Sequence, residues 1–320
     1  MEIRPQSEFN PDKPEVGFYN LPESVYRVAP GENWSCMKSI GRTPKKYKWR
    51  KEHPRKETDA LKFGRLWHTV VLEKDLLYKR YIEFPETYPA KGKKKADPDV
   101  DKPWNMNAAY CRVWVAENIG RGVECVKRAD INYAKAMSRE MWELSDAKAM
   151  LEDADGYEVS GFWKDEKSGL LCKLRLDALK FGQIGDLKKV TATAGGAEWE
   201  AFCRAVRNLQ YYGQAAFYRD GTNAILKHLG EPLPELPFFR WLVVEDEPPY
   251  DTAIYTIFDH PEAESYQWFV AGRELYELYL WQINLWREKD VWPSHNHGPS
   301  LQTEDHELTL PDWLRLGVVK

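Results

Sequence analysis

The sequence predicts an α/β fold, a central mixed β-sheet flanked by helices, and three observations carry that expectation. Two runs with strand-like alternation, 170–179 and 183–190, are joined by the Gly-containing turn Lys180-Phe181-Gly182-Gln183, which reads as a hairpin with a half-buried face. Three longer stretches, near 58–80, 198–220 and 261–288, carry apolar residues at helical spacing. A chain of 320 residues with 43% hydrophobic content can bury a sizeable core between such layers.

Taken in chain order, the segment up to Asn33 is rich in Pro, Glu and Asn and reads as extended or loop structure. Ser35 can cap a short helix through Met37 and Ile40. From Thr58 to about Arg80, Leu61, Phe63, Leu66, Val70 and Leu72 mark one longer helix with His68 near its middle. Residues 84–103, rich in Pro, Lys and Asp, read as a connection. Helical stretches at 106–118 and 131–151 precede strands at 157–164, 170–179 and 183–190. A single helix is expected over 198–220, with Phe202, Val206, Leu209, Ala216 and Phe217 available to pack. Strands at 238–245 and 252–258 and an aromatic helix from about 261 to 288 complete the set. The expectation is one elaborated domain spanning 1–320, with a core at about 58–260, an extension at 1–57, and a helix plus tail at 261–320. Its active site is expected at one edge of the sheet.

The chemistry concentrates on the hairpin. Asp177 is followed nine residues later by Asp186-Leu187-Lys188, and strand alternation places Asp186 and Lys188 on one face with Leu187 on the other. Carboxylates are hard ligands suited to Mg²⁺ or Mn²⁺, and a neighbouring lysine can orient water or stabilise charge developing on a phosphate. A surface hairpin carrying a salt bridge is the alternative reading of these three residues alone. Downstream, Gln210, Gln214 and Tyr218 follow at four-residue steps and line one stripe of a helix. Polar tips buried in a core would each need a partner, so this stripe suits a helix lying beside a sugar-phosphate backbone.

Asp177, then Asp186-Leu187-Lys188, then Gln214-Ala-Ala-Phe-Tyr218, with His68 upstream, resembles the restriction-endonuclease-like PD-(D/E)xK superfamily in its RecB/RecE branch. The chain is most similar to RecE-type, exodeoxyribonuclease VIII-like proteins of phages and prophages, from about Asn33 to Trp313. Intermediate matches lie at Glu158-Val159-Ser160-Gly161-Phe162-Trp163 and Gly169 to Asp177. Two residues depart from the pattern: Leu176 stands where many relatives carry proline, and Asp186 where much of the superfamily has glutamate. Both departures keep the oxygen ligands.

The resemblance implies a restriction-endonuclease-like core and Mg²⁺-dependent hydrolysis of DNA, with Mn²⁺ able to substitute. His68, Asp177, Asp186 and the Leu187 carbonyl would be metal ligands. Lys188 would position the attacking water, with Asp177 and Asp186 completing the catalytic set. Gln214, Tyr218 and Gln210 would contact DNA or hold catalytic residues, and Glu158 is either a supporting partner of the site or a structural acid. It further implies 5′→3′ degradation of one strand from double-stranded ends, a RecT-type annealing partner and a homo-oligomeric ring. The alternatives are a catalytically silent DNA-binding or assembly subunit and a structure-specific endonuclease of the same superfamily.

Composition bounds the remainder. The net charge of −4 leaves positive charge to local clusters. One is Lys45-Lys46-Tyr47-Lys48-Trp49-Arg50-Lys51, extended by Arg55 and Lys56, which reads either as a DNA-binding stretch in which stacking faces and cations act together or as a solvated face or mobile loop. Another is Lys91, Lys93, Lys94 and Lys95, which also reads as a mobile loop. The small residues at 191–197 allow close approach of a phosphate. Cys36, Cys111, Cys125, Cys172 and Cys203 are widely spaced without a Cys-x-x-Cys pair, so no iron-sulfur cluster, disulfide framework or structural zinc is expected. His295 and His297 form the only close histidine pair. With no long apolar run and no signal-peptide stretch at the N-terminus, a cytoplasmic protein without membrane contact is expected.

Overall fold

A computed structural model describes residues 1–54, 56–90, 100–235 and 237–295. Strands β1 (Ile3–Pro5) and β2 (Gly17–Asn20) are followed by helices α1 (Glu23–Val28), α2 (Trp34–Met37) and α3 (Pro44–Glu52). Helices α4 (Asp59–Leu72) and α5 (Leu77–Arg80) lead to β3 (Tyr81–Glu83), β4 (Thr87–Ala90) and β5 (Val100–Pro103). Then come α6 (Ala109–Gly120), β6 (Glu124–Val126), α7 (Arg128–Glu143) and α8 (Ser145–Leu151). The strands β7 (Gly156–Lys164), β8 (Leu171–Lys180) and β9 (Gln183–Val190) precede α9 (Trp199–Asn208) and α10 (Tyr211–Leu229). Strands β10 (Phe238–Glu245) and β11 (Thr252–Phe258) and helix α11 (Tyr266–Glu288) end the described elements.

The main sheet has seven strands among the described residues, in the order β1-β2-β7-β8-β9-β10-β11. It is mixed, as expected: β1–β2 and β9–β10 are parallel, and the other neighbours antiparallel. On one face α10 and α11 bury Leu174, Leu176, Leu179, Ile184 and Trp241. On the other, α4, α7 and α8 bury Ala178, Leu187, Leu242 and Val244. A smaller cluster of Phe9, Tyr19, Leu21, Ala29 and Phe162 packs the N-terminal segment against β7.

Several expectations are corrected. The segment before Asn33 supplies β1, β2 and α1, so β8 stands fourth in the sheet and its acid lies centrally, not at an edge. Asn33, not Ser35, caps α2, accepting from the Cys36 amide at 2.9 Å. The helix expected to reach Arg80 stops at Leu72, where Glu73 leaves helical geometry and pairs with Arg80. In an unbroken helix those two residues would stand about 10 Å apart along the axis. Residues 84–103 include the antiparallel pair β4–β5, and Lys91–Lys95, Arg55 and His297 lie outside the described residues.

One irregularity positions the site. On β8, Cys172, Leu174 and Leu176 face the α10–α11 core, whereas Ala178 faces the α4–α7 core and Leu179 returns to the first. A regular strand would keep one parity. The slip falls at Asp177, and opposite it on β7 stands Glu158, whose φ of 51° is left-handed. Because both strands slip together, the register is continuous on either side, with Tyr157 against Ala178 and Val159 against Leu176.

Candidate metal and nuclease site

The hairpin turn is made by Phe181 and Gly182, both at positive φ, as a two-residue connection between right-twisted strands requires. Pairing of β8 with β9 runs from Lys180–Gln183 to Ala178–Gly185, which brings Asp177 opposite Asp186. With Glu158 opposite Asp177 on the other side, three acids form one row across β7, β8 and β9. There the β8–β9 ladder ends, and Asp177 Oδ2 takes the Leu187 amide at 2.7 Å in place of a ladder partner. The N–H and C=O of one strand residue point to the same side, so the Leu187 carbonyl also turns toward Asp177.

From above the row, α4 presents His68. Its start is fixed by Thr58, whose side chain caps the Leu61 amide, and its seat by buried Leu66, Trp67, Val70 and Val71. His68 Nδ1 lies 3.0 Å from Glu158 Oε1 and 3.6 Å from Asp177 Oδ1. The ligand atoms of His68, Glu158 and Asp177 all fall within 4.8 Å of one another. Glu158, expected to be either a supporting partner of the site or a structural acid, stands among its potential ligands. Asp186 is engaged differently: it ion-pairs with Lys188 and accepts from Gln214 Nε2 at 2.9 Å. The Lys188 ammonium also lies 4.7 Å from the centroid of the Tyr211 ring.

The charges are poised around this crowding. Burial raises the Asp177 carboxyl to about 7, with Asp186 and Glu158 adding to the shift against the pull of His68. Burial alone would lower His68, but Asp177, Glu158 and Asp186 hold it up at about 9. For Glu158 burial is outweighed by His68 and Arg175, which keep it down at about 2. Burial would lower Lys188 too, yet Asp186 beside it raises it, so it stays an ammonium. A histidine nitrogen and one carboxylate oxygen each from Glu158 and Asp177, gathered within 4.8 Å of one another, are the kind of donor set that fits a divalent cation.

The stripe expected from 198–220 is broken. Gln210 adopts φ 56° between α9 and α10 and donates to the Tyr279 hydroxyl at 2.9 Å, away from the acid row. Gln214 and Tyr218 remain on α10 one turn apart, and burial carries the Tyr218 hydroxyl well above its ordinary range. The basic cluster forms α3, packed on the segment after α11. Lys45 N donates to Pro293 O at 3.1 Å, Lys46 Nζ lies 3.1 Å from His295 Nε2, and Lys48 pairs with Glu52. Tyr47 is buried and donates to Glu32 at 2.7 Å, so it offers no stacking face; Trp49 is exposed but stacks on His53. Arg50 lies on the same helix. The small-residue loop is tied down by Asp246 and Glu245, which accept from the Ala192 and Ala197 amides.

Sequence reasoning missed Arg175, whose Nε donates to Glu158 at 2.6 Å. Its place two residues before Asp177 was the available signal.

A family model described as a PDDEXK-like domain of unknown function matches residues 33–297. The chain belongs to that family. In fold the PDDEXK-like chain is similar to the crystal structure of a protein from Eubacterium rectale that carries the provisional name exonuclease. That likeness has a TM-score of 0.52 at 14% identity and covers 89% of this chain and 92% of the other. No curated protein matches the sequence. Among the described residues no helix is long and apolar enough to cross a membrane.

Proposed function

We propose that this PDDEXK-like chain is a Mg²⁺-dependent exodeoxyribonuclease of RecE type, with Mn²⁺ able to substitute. The observation that carries the reading is the row of Glu158, Asp177 and Asp186 with His68 above it and Lys188 beside it. A divalent cation, when bound, supplies charge stabilisation for the phosphate under attack. His68, Glu158 and Asp177 would hold it, with Asp186 and the Leu187 carbonyl adjacent.

Asp186 beside Lys188 favours its charged form, and its part is to orient the attacking water or lower the pKa of that water. Gln214 fixes Asp186 by donating to one oxygen while Lys188 holds the other. Half-buried Tyr218, one helical turn after Gln214 on α10, is proposed to support that amide. Lys45, Lys46, Lys48 and Arg50 on α3 are proposed to meet the DNA backbone.

The reading includes double-stranded DNA ends as substrate and 5′→3′ removal of one strand. It also includes a 3′ overhang passed to a RecT-type annealing protein, a homo-oligomeric ring, and a cytoplasmic place in a bacterial or phage-infected cell. The test is Mg²⁺-dependent digestion of linear duplex labelled at either end, with Asp186→Ala and a covalently closed circle alongside. Early release of 5′ label from linear DNA alone, lost in Asp186→Ala, supports the proposal. Cutting of the circle would redirect it to an endonuclease, and no release with Mg²⁺ or Mn²⁺ would leave a silent DNA binder.

A further inference from the structure

Arg175 reaches three groups at once. Its Nε donates to Glu158 Oε2 at 2.6 Å, and its Nη1 donates to Ser160 Oγ at 3.0 Å and to the Leu21 carbonyl at 2.9 Å. The side chain is only 16% exposed. Glu158 thus has one oxygen on Arg175 and the other on His68, while its backbone holds a left-handed conformation that L side chains disfavour. A carboxylate on so unusual a backbone position keeps one orientation only when its surroundings fix it.

The surroundings come partly from the N-terminal segment. The Tyr26 ring lies 5.7 Å from the Arg175 guanidinium and 4.8 Å from Lys173 Nζ. Buried Lys173, two residues earlier on β8, donates to the carbonyls of Tyr26, Arg27 and Ala29, clasping the end of α1 to the strand. These contacts belong to residues 21–29, which precede the family match beginning at residue 33.

We infer that Arg175 is a positioning residue for the metal site. It holds one oxygen of Glu158 so that the other faces His68 and Asp177, and the Leu21 carbonyl and Tyr26 ring hold Arg175 in that pose. The inference rests on the metal-dependent reading above. A merely structural ion pair would instead lower the unfolding temperature and leave the metal affinity of the folded protein unchanged.

Mn²⁺ alone is titrated into the full chain, with the free ion counted by its paramagnetic resonance signal and thermal unfolding followed in chelator. Arg175→Gln is expected to weaken Mn²⁺ binding by about tenfold or more, the range seen when partners of metal ligands are removed. Arg175→Lys, whose single ammonium cannot span the same three acceptors, and Tyr26→Leu should each weaken it several-fold. In a Glu158→Gln background, Arg175→Gln should add little, because the carboxylate it orients is gone. Wild-type affinity in Arg175→Gln, or full additivity with Glu158→Gln, overturns the inference. Should Arg175→Gln not fold, Arg175→Lys and Tyr26→Leu decide it by the same criterion. A wild-type chain that takes up no Mn²⁺ removes the functional reading as well, whereas equal uptake by wild type and variants removes this inference alone.

Discussion

Gln214 Nε2 donates a 2.9 Å hydrogen bond to Asp186 Oδ1, so a helix on one face of the sheet aims a carboxylate on its central strands. Lys188 takes the other oxygen of the same group. Removing the amide frees one side of Asp186 without touching the core. Gln214→Ala is therefore expected to lower metal-dependent cleavage by roughly 10–100-fold with an unchanged far-ultraviolet spectrum. Gln214→Glu should be at least as damaging, since it sets a carboxylate against a carboxylate. Cleavage rates of both variants at saturating metal check this, and a rate within twofold of wild type for Gln214→Ala would remove Gln214 from the machinery.

How much of this was visible in the sequence follows from which interactions are local. The strands at Gln183–Val190, Phe238–Glu245 and Thr252–Phe258 announce themselves by alternation and turn residues, and Asp186 and Lys188 share a face because the period of a strand is two. Gln214 at the site followed from the Gln-x-x-x-Tyr resemblance, whereas the helical pattern alone set it on a stripe with Gln210 that the fold breaks. What escaped depends on distant partners. The N-terminal strands are short, and β2 is completed only by pairing with β7. Gln210 breaks its helix by taking a left-handed conformation that nothing in its neighbours' hydropathy signals, and its amide finds Tyr279 sixty-nine residues on. Glu158 is set by the slip shared by β7 and β8, a tertiary feature that strand periodicity assumes away.

Asp177 should destabilise the metal-free protein at neutral pH. Its folded carboxyl, at about 7, stands above the ordinary 3.8, so the folded state holds the proton more tightly than the unfolded chain. Stability from this group is present below pH 3.8 and is lost as pH rises to about 7. Asp177→Asn keeps the shape and discards the charge. In chelator it is expected to unfold at the same temperature as wild type near pH 4 and at a higher one at pH 8. The difference should be on the order of 1–3 kcal/mol, and a variant less stable than wild type at pH 8 would contradict the crowding of acids described above.

Protonated His68 must give up its proton when a cation binds at Nδ1. Its folded value of about 9 leaves it charged at pH 7.5, so uptake of Mn²⁺ should release about one proton per ion. Calorimetry in two buffers of different ionisation enthalpy measures this directly. Apparent affinity should rise as pH climbs toward 9, and His68→Ala should lose most of both the release and the pH dependence. Binding without proton release would mean that His68 is not a ligand.

The α3 helix separates electrostatic from structural roles. Lys51 pairs with Glu32, itself 3% exposed and also held by Tyr47 and Arg287, so that end of the helix anchors it to α11. Lys45 and Lys48 stand on the same helix with surface-facing charge, Lys48 sharing its charge with Glu52. If α3 lies along a DNA backbone, each lysine that neutralises a phosphate contributes nearly one unit to the slope of log affinity against log salt. Lys45→Ala with Lys48→Ala is then expected to weaken duplex binding to the Asp186→Ala protein uniformly across sequences and to reduce the slope by about one to two. Unfolding temperature should hold, because neither side chain closes the Glu32 cluster. An unchanged slope with unchanged stability would assign the cations of α3 to solvent and leave DNA contact to the surface around the acid row.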